Sequence, residues 1–175
     1  METVLILDFG AQYSQLIARR VREQNVYCEV KPCSISPDEI RELAPIGIIL
    51  SGGPQSVYES VSLHVDPALF SLGIPVLGIC YGCQLMAYSL GGTVAAATEA
   101  TAREYGKTLT EFDTQSAIFH GLPASSVTWM SHGDYISQVP DGFTVTAKTA
   151  VCPTAAMACP EKKLYGVQFH PEVQH

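Results

Sequence analysis

The sequence predicts an α/β fold: a mainly parallel central sheet with helices on both faces, a three-layer flavodoxin-like arrangement, with added antiparallel strands in the C-terminal half. Two observations predict it. In the first half, short apolar runs alternate with amphipathic helical segments, the pattern of a parallel sheet covered by helices. In the second half, strand-like runs follow one another with turn residues between them and few helices to separate them, which points to antiparallel pairing. The length, 175 residues, suits one domain. A chain of this size hides about 70% of the surface its unfolded form exposes, enough for a core without covalent staples.

Val4–Asp8 is the first apolar run, fit for a buried parallel strand. Gln12–Glu23 follows as a helix, with Tyr13, Leu16, Ile17 and Val21 on one face and Arg19, Arg20 and Arg22 on the wet one. Val26–Val30 is the second strand. Ser36-Pro37-Asp38-Glu39 then starts a helix: Ser36 caps, Pro37 takes the first helical position, and Glu39 is placed to close a capping box. Ile46–Leu50 is a third buried strand, broken by Ser51-Gly52-Gly53-Pro54. Asp66–Leu72 is a short helix, Ile74–Ile79 a fourth strand, and Gly82–Leu90 a helix ended by Gly91-Gly92. Beyond these, Glu104–Phe112, Val127–Met130, Phe143–Thr149, Ala155–Cys159 and Leu164–Phe169 read as strands. Turns fall at Asp113-Thr114, Pro140-Asp141-Gly142 and Pro160-Glu161.

Composition narrows the function. A net charge of −7, with no dense cluster of Lys and Arg, argues against nucleic-acid binding. No stretch reaches the ~18 apolar residues of a membrane span, and the opening Met-Glu-Thr-Val-Leu-Ile-Leu-Asp lacks the basic and cleavable parts of a signal peptide. Six cysteines stand at 28, 33, 80, 83, 152 and 159. In a core-rich chain without a secretory signal they are expected as free thiols in a reducing cytoplasm.

The sharpest local signal is Gly78-Ile79-Cys80-Tyr81-Gly82, set between an apolar strand and a helix. A nucleophile on such a turn is held with its side chain exposed at the carboxyl edge of the sheet, and small residues two before and two after avoid clashes. The helix that follows aims its positive end at the sulfur and favours the thiolate. Two other readings stay open at this point: Cys80 as a small buried hydrophobe in a tight turn, and Cys80 with Cys83 as a redox C-x-x-C pair.

Phe169-His170-Pro171-Glu172 supplies a base and its partner. A cysteine nucleophile needs an imidazole to move its proton, and the imidazole needs a group that sets its tautomer and steadies its charge. Residues two apart in an extended segment project to one side, so Glu172 is expected to support His170. His132, in Ser131-His132-Gly133-Asp134, is an alternative base, and no Cys/His spacing matches a structural zinc site. Ser51-Gly52-Gly53-Pro54 should lie at the same sheet edge. Its glycines let backbone N–H groups approach a developing oxyanion, and the N–H groups of Gly53 and Tyr81 are the expected donors. The same stretch could also be a plain turn.

In this order the three pieces resemble the class I glutamine amidotransferases, whose pattern is a Gly-Gly loop, then G-x-C-x-G, then His-x-Glu. Leu5–Arg20, Arg103-Glu104-Tyr105-Gly106, Trp129–Asp134 and Leu164–Val173 resemble in particular the glutaminase part of the GMP synthase branch, over essentially the whole chain. The resemblance implies a Cys80, His170, Glu172 triad, oxyanion donors at Gly53 and Tyr81, and a glutamine pocket lined by Gly52, Gln84, His132 and Asp134. His132 and Asp134 would face the substrate's α-amino and α-carboxylate ends. Cys83 stands where relatives often have Met. The resemblance implies glutamine hydrolysis that supplies ammonia to a synthetase (ATP-pyrophosphatase) domain or subunit, where xanthosine monophosphate becomes GMP. No cofactor or metal is implied for residues 1–175, and ATP and magnesium are expected only in that partner. The stop at Val173-Gln174-His175 favours an excised domain over a natural subunit. A γ-glutamyl hydrolase, or a regulatory domain on the same fold, would be the competing readings. The opening segment and the intact triad argue against them.

Overall fold

The computed structural model describes residues 1–10, 13–53, 56–58, 64–96 and 104–173. Ala11, Gln12, Pro54, Arg103, Gln174 and His175, all named in the motifs above, lie outside the described residues. Five strands form the parallel half of the main sheet. They are β1 (Thr3–Asp8), β2 (Tyr27–Pro32), β3 (Gly47–Leu50), β4 (Val76–Ile79) and β11 (Leu164–Val167), lying in the order β2-β1-β3-β4-β11. From β11 the sheet continues antiparallel through β10 (Ala156–Cys159), β9 (Thr144–Lys148), β6 (Glu104–Phe112) and β7 (Ser125–His132).

The helices α1 (Ser14–Glu23), α2 (Pro37–Leu43) and α3 (Tyr81–Ser89) cover both faces. Alternation along β1 shows how: Leu5 and Leu7 join a core with Ile40 of α2 and Leu85 and Met86 of α3, while Ile6 joins Ile17 and Ala18 of α1 on the opposite face. Ser36 caps α2 by accepting from Glu39 N at 3.2 Å, and its hydroxyl donates to the Glu39 carboxylate at 3.3 Å. Asp66 caps a single 3-10 turn, Pro67–Ser71, where a helix was expected. Residues 81–87 of α3 are all buried, because this helix is apolar nearly all round and is enclosed on every side.

Two short strands escaped the sequence reading. β5 (Thr93–Ala96) and β8 (Asp134–Gln138) pair antiparallel as a separate ribbon. β5 has four residues, and β8 carries Asp, Ser and Gln, so neither shows a periodic apolar pattern of useful length. β8 begins within the Ser131–Asp134 run that bears on function.

Candidate active site

The carboxyl ends of β3, β4 and β11 lie side by side, and they deliver Ser51–Gly53, Cys80 and Gln168–Glu172 to one crevice. In open α/β sheets this edge is where ligands bind. Cys80 sits between β4 and α3 with φ 53° and ψ −107°. A non-glycine residue in that region is strained and persists only where its surroundings over-determine it. Those surroundings are visible. Cys80 N donates to Val167 O at 2.8 Å. A Cβ on Gly78 would stand 2.6 Å from Gly82 O, and one on Gly82 would stand 2.5 Å from Leu50 O. Both glycines are therefore required by backbone approach. The thiol donates to Ser131 O at 3.5 Å, and Gln168 Nε2 donates to Sγ at 3.5 Å.

His170 is placed by its own backbone N–H, which donates to Trp129 O of β7 at 2.8 Å. Its Nδ1 donates to Glu172 Oε1 at 2.7 Å, with both side chains buried. The support was expected from an extended segment. Instead Val173 N donates back to His170 O at 3.3 Å, so the chain turns at Pro171 and Glu172 folds under the ring. Burial works against charge on His170, but hydrogen bonding and negative charge from Cys80 and Glu172 outweigh it and push its pKa up to about 10. Tyr13 meets the ring edge-on at 5.7 Å between centroids. Arg20, expected on the wet face of α1, turns its Nε to Glu172 O at 3.1 Å and ties the end of this segment to the helix.

The loop after β3 is held more firmly than its glycines suggest. Ser51, fully buried, accepts from Phe9 N at 3.1 Å and donates to Gly52 O at 3.0 Å. A Cβ on Gly52 would lie 3.1 Å from His170 Cε1, and one on Gly53 would lie 3.1 Å from Phe9 O and 3.4 Å from Tyr81 Cδ1. A pocket of about 320 Å³ opens beside Cys80, lined among others by Gly53, Tyr81, Gln84, His132 and Asp134. The structure thus brings together Cys80, Gly52, Gly53, Tyr81, Gln84, His132, Asp134 and His170 at one crevice, with Glu172 behind the histidine.

His132 lines the pocket, and its ring is held from behind by protein groups. Its Nδ1 donates to Asp134 O at 2.8 Å and its Nε2 meets Glu104 Oε1 at 3.1 Å, so both ring nitrogens are engaged within the protein. That use takes it away from the alternative role of base to Cys80. Glu104 Oε2 in turn accepts from Thr149 Oγ1 at 2.8 Å. Glu104, His132 and Cys152 hold ligand-type atoms within 4.8 Å of one another, but hydrogen bonds already occupy them, Cys152 Sγ donating to Thr154 O at 3.4 Å. Cys83 is fully buried in α3, where a Cβ on Gly166 of β11 would stand 2.6 Å from its Sγ, and burial pushes its thiol far up. None of the six cysteines forms a disulfide.

Four participants were missed by the sequence reading: Ser51, Glu104, Gln168 and the carbonyl of Ser131. Gln168 carries a signal that could have found it, a lone amide between Val167 and Phe169 at the end of an apolar strand. Glu104 carries none, because only the β6/β7 register sets it opposite His132.

The family model described as glutamine amidotransferase class-I matches residues 5–175. The chain is 56% identical over 174 residues to a protein of Clostridium botulinum (strain Alaska E43 / Type E3) named GMP synthase [glutamine-hydrolyzing], covering 99% of this chain and 33% of that one. It is likewise 56% identical over 174 residues to the protein so named from Bacillus pumilus, with the same coverage of 99% and 33%. The chain spans about a third of the length of the curated relatives it matches. Among solved structures, a candidate GMP synthase subunit from Thermoplasma acidophilum superposes with a TM-score of 0.88 at 31% identity, over 100% of this chain and 86% of that one. A glutamine amidotransferase from Thermotoga maritima shares the fold, with a TM-score of 0.78 at 24% identity over 98% of this chain and 76% of that one.

Proposed function

Because the chain belongs to the class I glutamine amidotransferases, we propose that it hydrolyses glutamine to glutamate and ammonia through a thioester on Cys80. The observation that carries the proposal is Cys80 itself. A cysteine in a strained positive-φ turn, at the rim of a polar pocket and beside a buried His170–Glu172 pair, is arranged for nucleophilic attack on an acyl carbon.

In this reading the Cys80 thiolate adds to the side-chain carbonyl carbon of glutamine. The oxyanion that forms takes hydrogen bonds from the N–H groups of Gly53 and Tyr81. His170, protonated at neutral pH by the pull of Cys80 and Glu172, gives its proton to the departing nitrogen as the C–N bond breaks, and ammonia leaves. The thioester is then attacked by water, which gives a proton to the now neutral His170. Collapse of the second tetrahedral intermediate breaks the C–S bond, frees glutamate and restores the thiolate. Asp134 on the pocket wall is the partner for the substrate's ammonium group. Gln84 lines the pocket beside it, and Gly52 leaves room between loop and imidazole.

We further propose that the ammonia passes to a synthetase (ATP-pyrophosphatase) domain that converts xanthosine monophosphate to GMP. The support is the identity to the two GMP synthases over 99% of the chain. No step above calls for a cofactor or metal in residues 1–175, and ATP and magnesium belong to the synthetase in this scheme. The test is glutamate release from glutamine by the parent chain and by Cys80→Ala, each with the synthetase, ATP and xanthosine monophosphate. Release that survives Cys80→Ala overturns the assignment. Release that is indifferent to xanthosine monophosphate overturns the pathway but not the chemistry.

A further inference from the structure

Gln168 is completely buried and follows β11 directly, with its side chain between Cys80 and Gln84. An amide group can face either way, and its neighbours decide which end points where. Here the neighbours leave no choice. Asp134 O is a carbonyl and can only accept, so the Gln84 amide must turn its nitrogen to it, at 3.0 Å. The same Gln84 Nε2 stands 3.1 Å from the Gln168 side chain, which must therefore answer with its oxygen. That sets the nitrogen of Gln168 toward Cys80 Sγ, at 3.5 Å, a distance suited to a large sulfur acceptor. The chain of constraint extends further back, since Asp134 O also accepts from His132 Nδ1 at 2.8 Å and His132 is braced on Glu104.

The two hydrogen bonds at Sγ have opposite effects. The bond from the thiol to Ser131 O exists only while sulfur keeps its proton. The bond from Gln168 strengthens when sulfur is an anion, because a hydrogen bond to a charged acceptor is roughly twice as strong as a neutral one. Once the proton has gone, the Ser131 carbonyl faces a negative sulfur, and the Gln168 N–H is what offsets it.

We propose that Gln168 is a catalytic residue that donates to Cys80 Sγ and stabilises the thiolate, and that Gln84 is the positioning residue that keeps the Gln168 amide in its donating orientation. This rests on Cys80 being the nucleophile. It adds to the His170 interaction a second, neutral source of thiolate stabilisation.

The measurement is the rate of Cys80 alkylation by iodoacetamide against pH, followed by peptide mass on the whole chain. Only the thiolate reacts, so the midpoint reports the sulfur directly. Gln168→Met, close in size and without a donor, should raise the midpoint and slow alkylation at neutral pH about tenfold. Gln84→Leu, which frees the Gln168 amide to turn, should shift the midpoint the same way by a smaller amount. A packing role alone would lower the melting temperature and leave the midpoint in place. A folded Gln168→Met with the parent's midpoint overturns the proposal. If Gln168→Met does not fold, Gln84→Leu decides, and an unchanged midpoint there overturns it equally. Alkylation needs no glutamine, so a chain that failed to hydrolyse glutamine would still reveal whether Gln168 acts on the sulfur.

Discussion

His170 and Glu172 form a buried pair whose electrostatics decide what the histidine can do. With a pKa near 10 against an ordinary value of about 6.5, the folded chain favours the imidazolium. The resulting stabilisation is fully present below the unfolded value of about 6.5 and is lost as pH rises through about 10. Glu172→Gln keeps an acceptor for Nδ1 but removes the charge. His170 should then titrate lower by NMR, and turnover should fall by roughly 10²–10⁴ if it behaves like other triads that lose their carboxylate. A histidine titration that does not move would show that Cys80 by itself sustains the imidazolium. The two neighbouring thiols should part company as well. Cys80 faces the pocket, whereas Cys83 is sealed against Gly166. A glutamine-like electrophile should therefore label Cys80 and leave Cys83 untouched, as read by peptide mapping. Labelling at Cys83 that persists in Cys80→Ala would reverse the assignment.

At the scale of elements, the elbow depends on α3 lying hard against β3. Gly82→Ala separates two effects of opposite sign. Helix propensity favours Ala over Gly by about 1 kcal/mol. The added methyl, however, would meet Leu50 O at 2.5 Å and the Leu50 carbonyl carbon at 2.9 Å, both backbone atoms. Overpacking of this kind costs ~1–3 kcal/mol, so the variant should be less stable in denaturant titrations despite its better propensity. A more stable Gly82→Ala would mean that the helix shifts freely. Ser51 braces the neighbouring loop by holding Phe9 N and Gly52 O. Ser51→Ala should lose roughly 1–3 kcal/mol of stability by orphaning a buried N–H. It should also release the Gly52 carbonyl, so that glutamate production drops while Cys80 alkylation continues at the parent's rate. Equal losses in both assays would place the defect at the sulfur, not the loop.

For the whole molecule, the expectation is that the isolated chain turns over slowly and that the proposed synthetase partner speeds it. The relatives it matches are about three times its length, and ammonia released without an acceptor would waste glutamine. Glycines can reorient their peptides at little steric cost, so the Gly52-Gly53 loop is where a partner could act. With Gly52 O tied to Ser51 and Gly53 enclosed by Phe9 and Tyr81, any reorientation of that peptide must first break a buried hydrogen bond. Loss of a single oxyanion donor costs on the order of 10²–10³ in rate, which sets the size of activation a partner could supply through this loop. Steady-state glutamate production by the chain, then with synthetase, ATP and xanthosine monophosphate, measures it. An isolated chain already at the coupled rate would show that no such activation exists.

Some of this was determined by the sequence itself. Alternating apolar runs and amphipathic segments dictated the parallel half and the order of its elements, because hydrophobic periodicity is a local property. The Ser36 cap, the glycine-flanked turn at Cys80 and the nearness of Glu172 to His170 were legible for the same reason, since each is a short-range pattern. What only the tertiary structure decided is non-local. The adjacency of β3, β4 and β11, which gathers Ser51, Cys80 and His170, follows from strand order and not from chain order. The return of β7 to the site, where Trp129 O holds His170 N and Ser131 O faces Sγ, follows from sheet register and curvature. The bracing of the His132 ring by Glu104 depends on a cross-strand partner 28 positions away. Gln84 and Gln168 stand 84 positions apart, and each looks like an ordinary amide until the Asp134 carbonyl orients Gln84 and Gln84 orients Gln168. A polar side chain's role is set by what surrounds it once it is buried, and those surroundings exist only after the chain has folded.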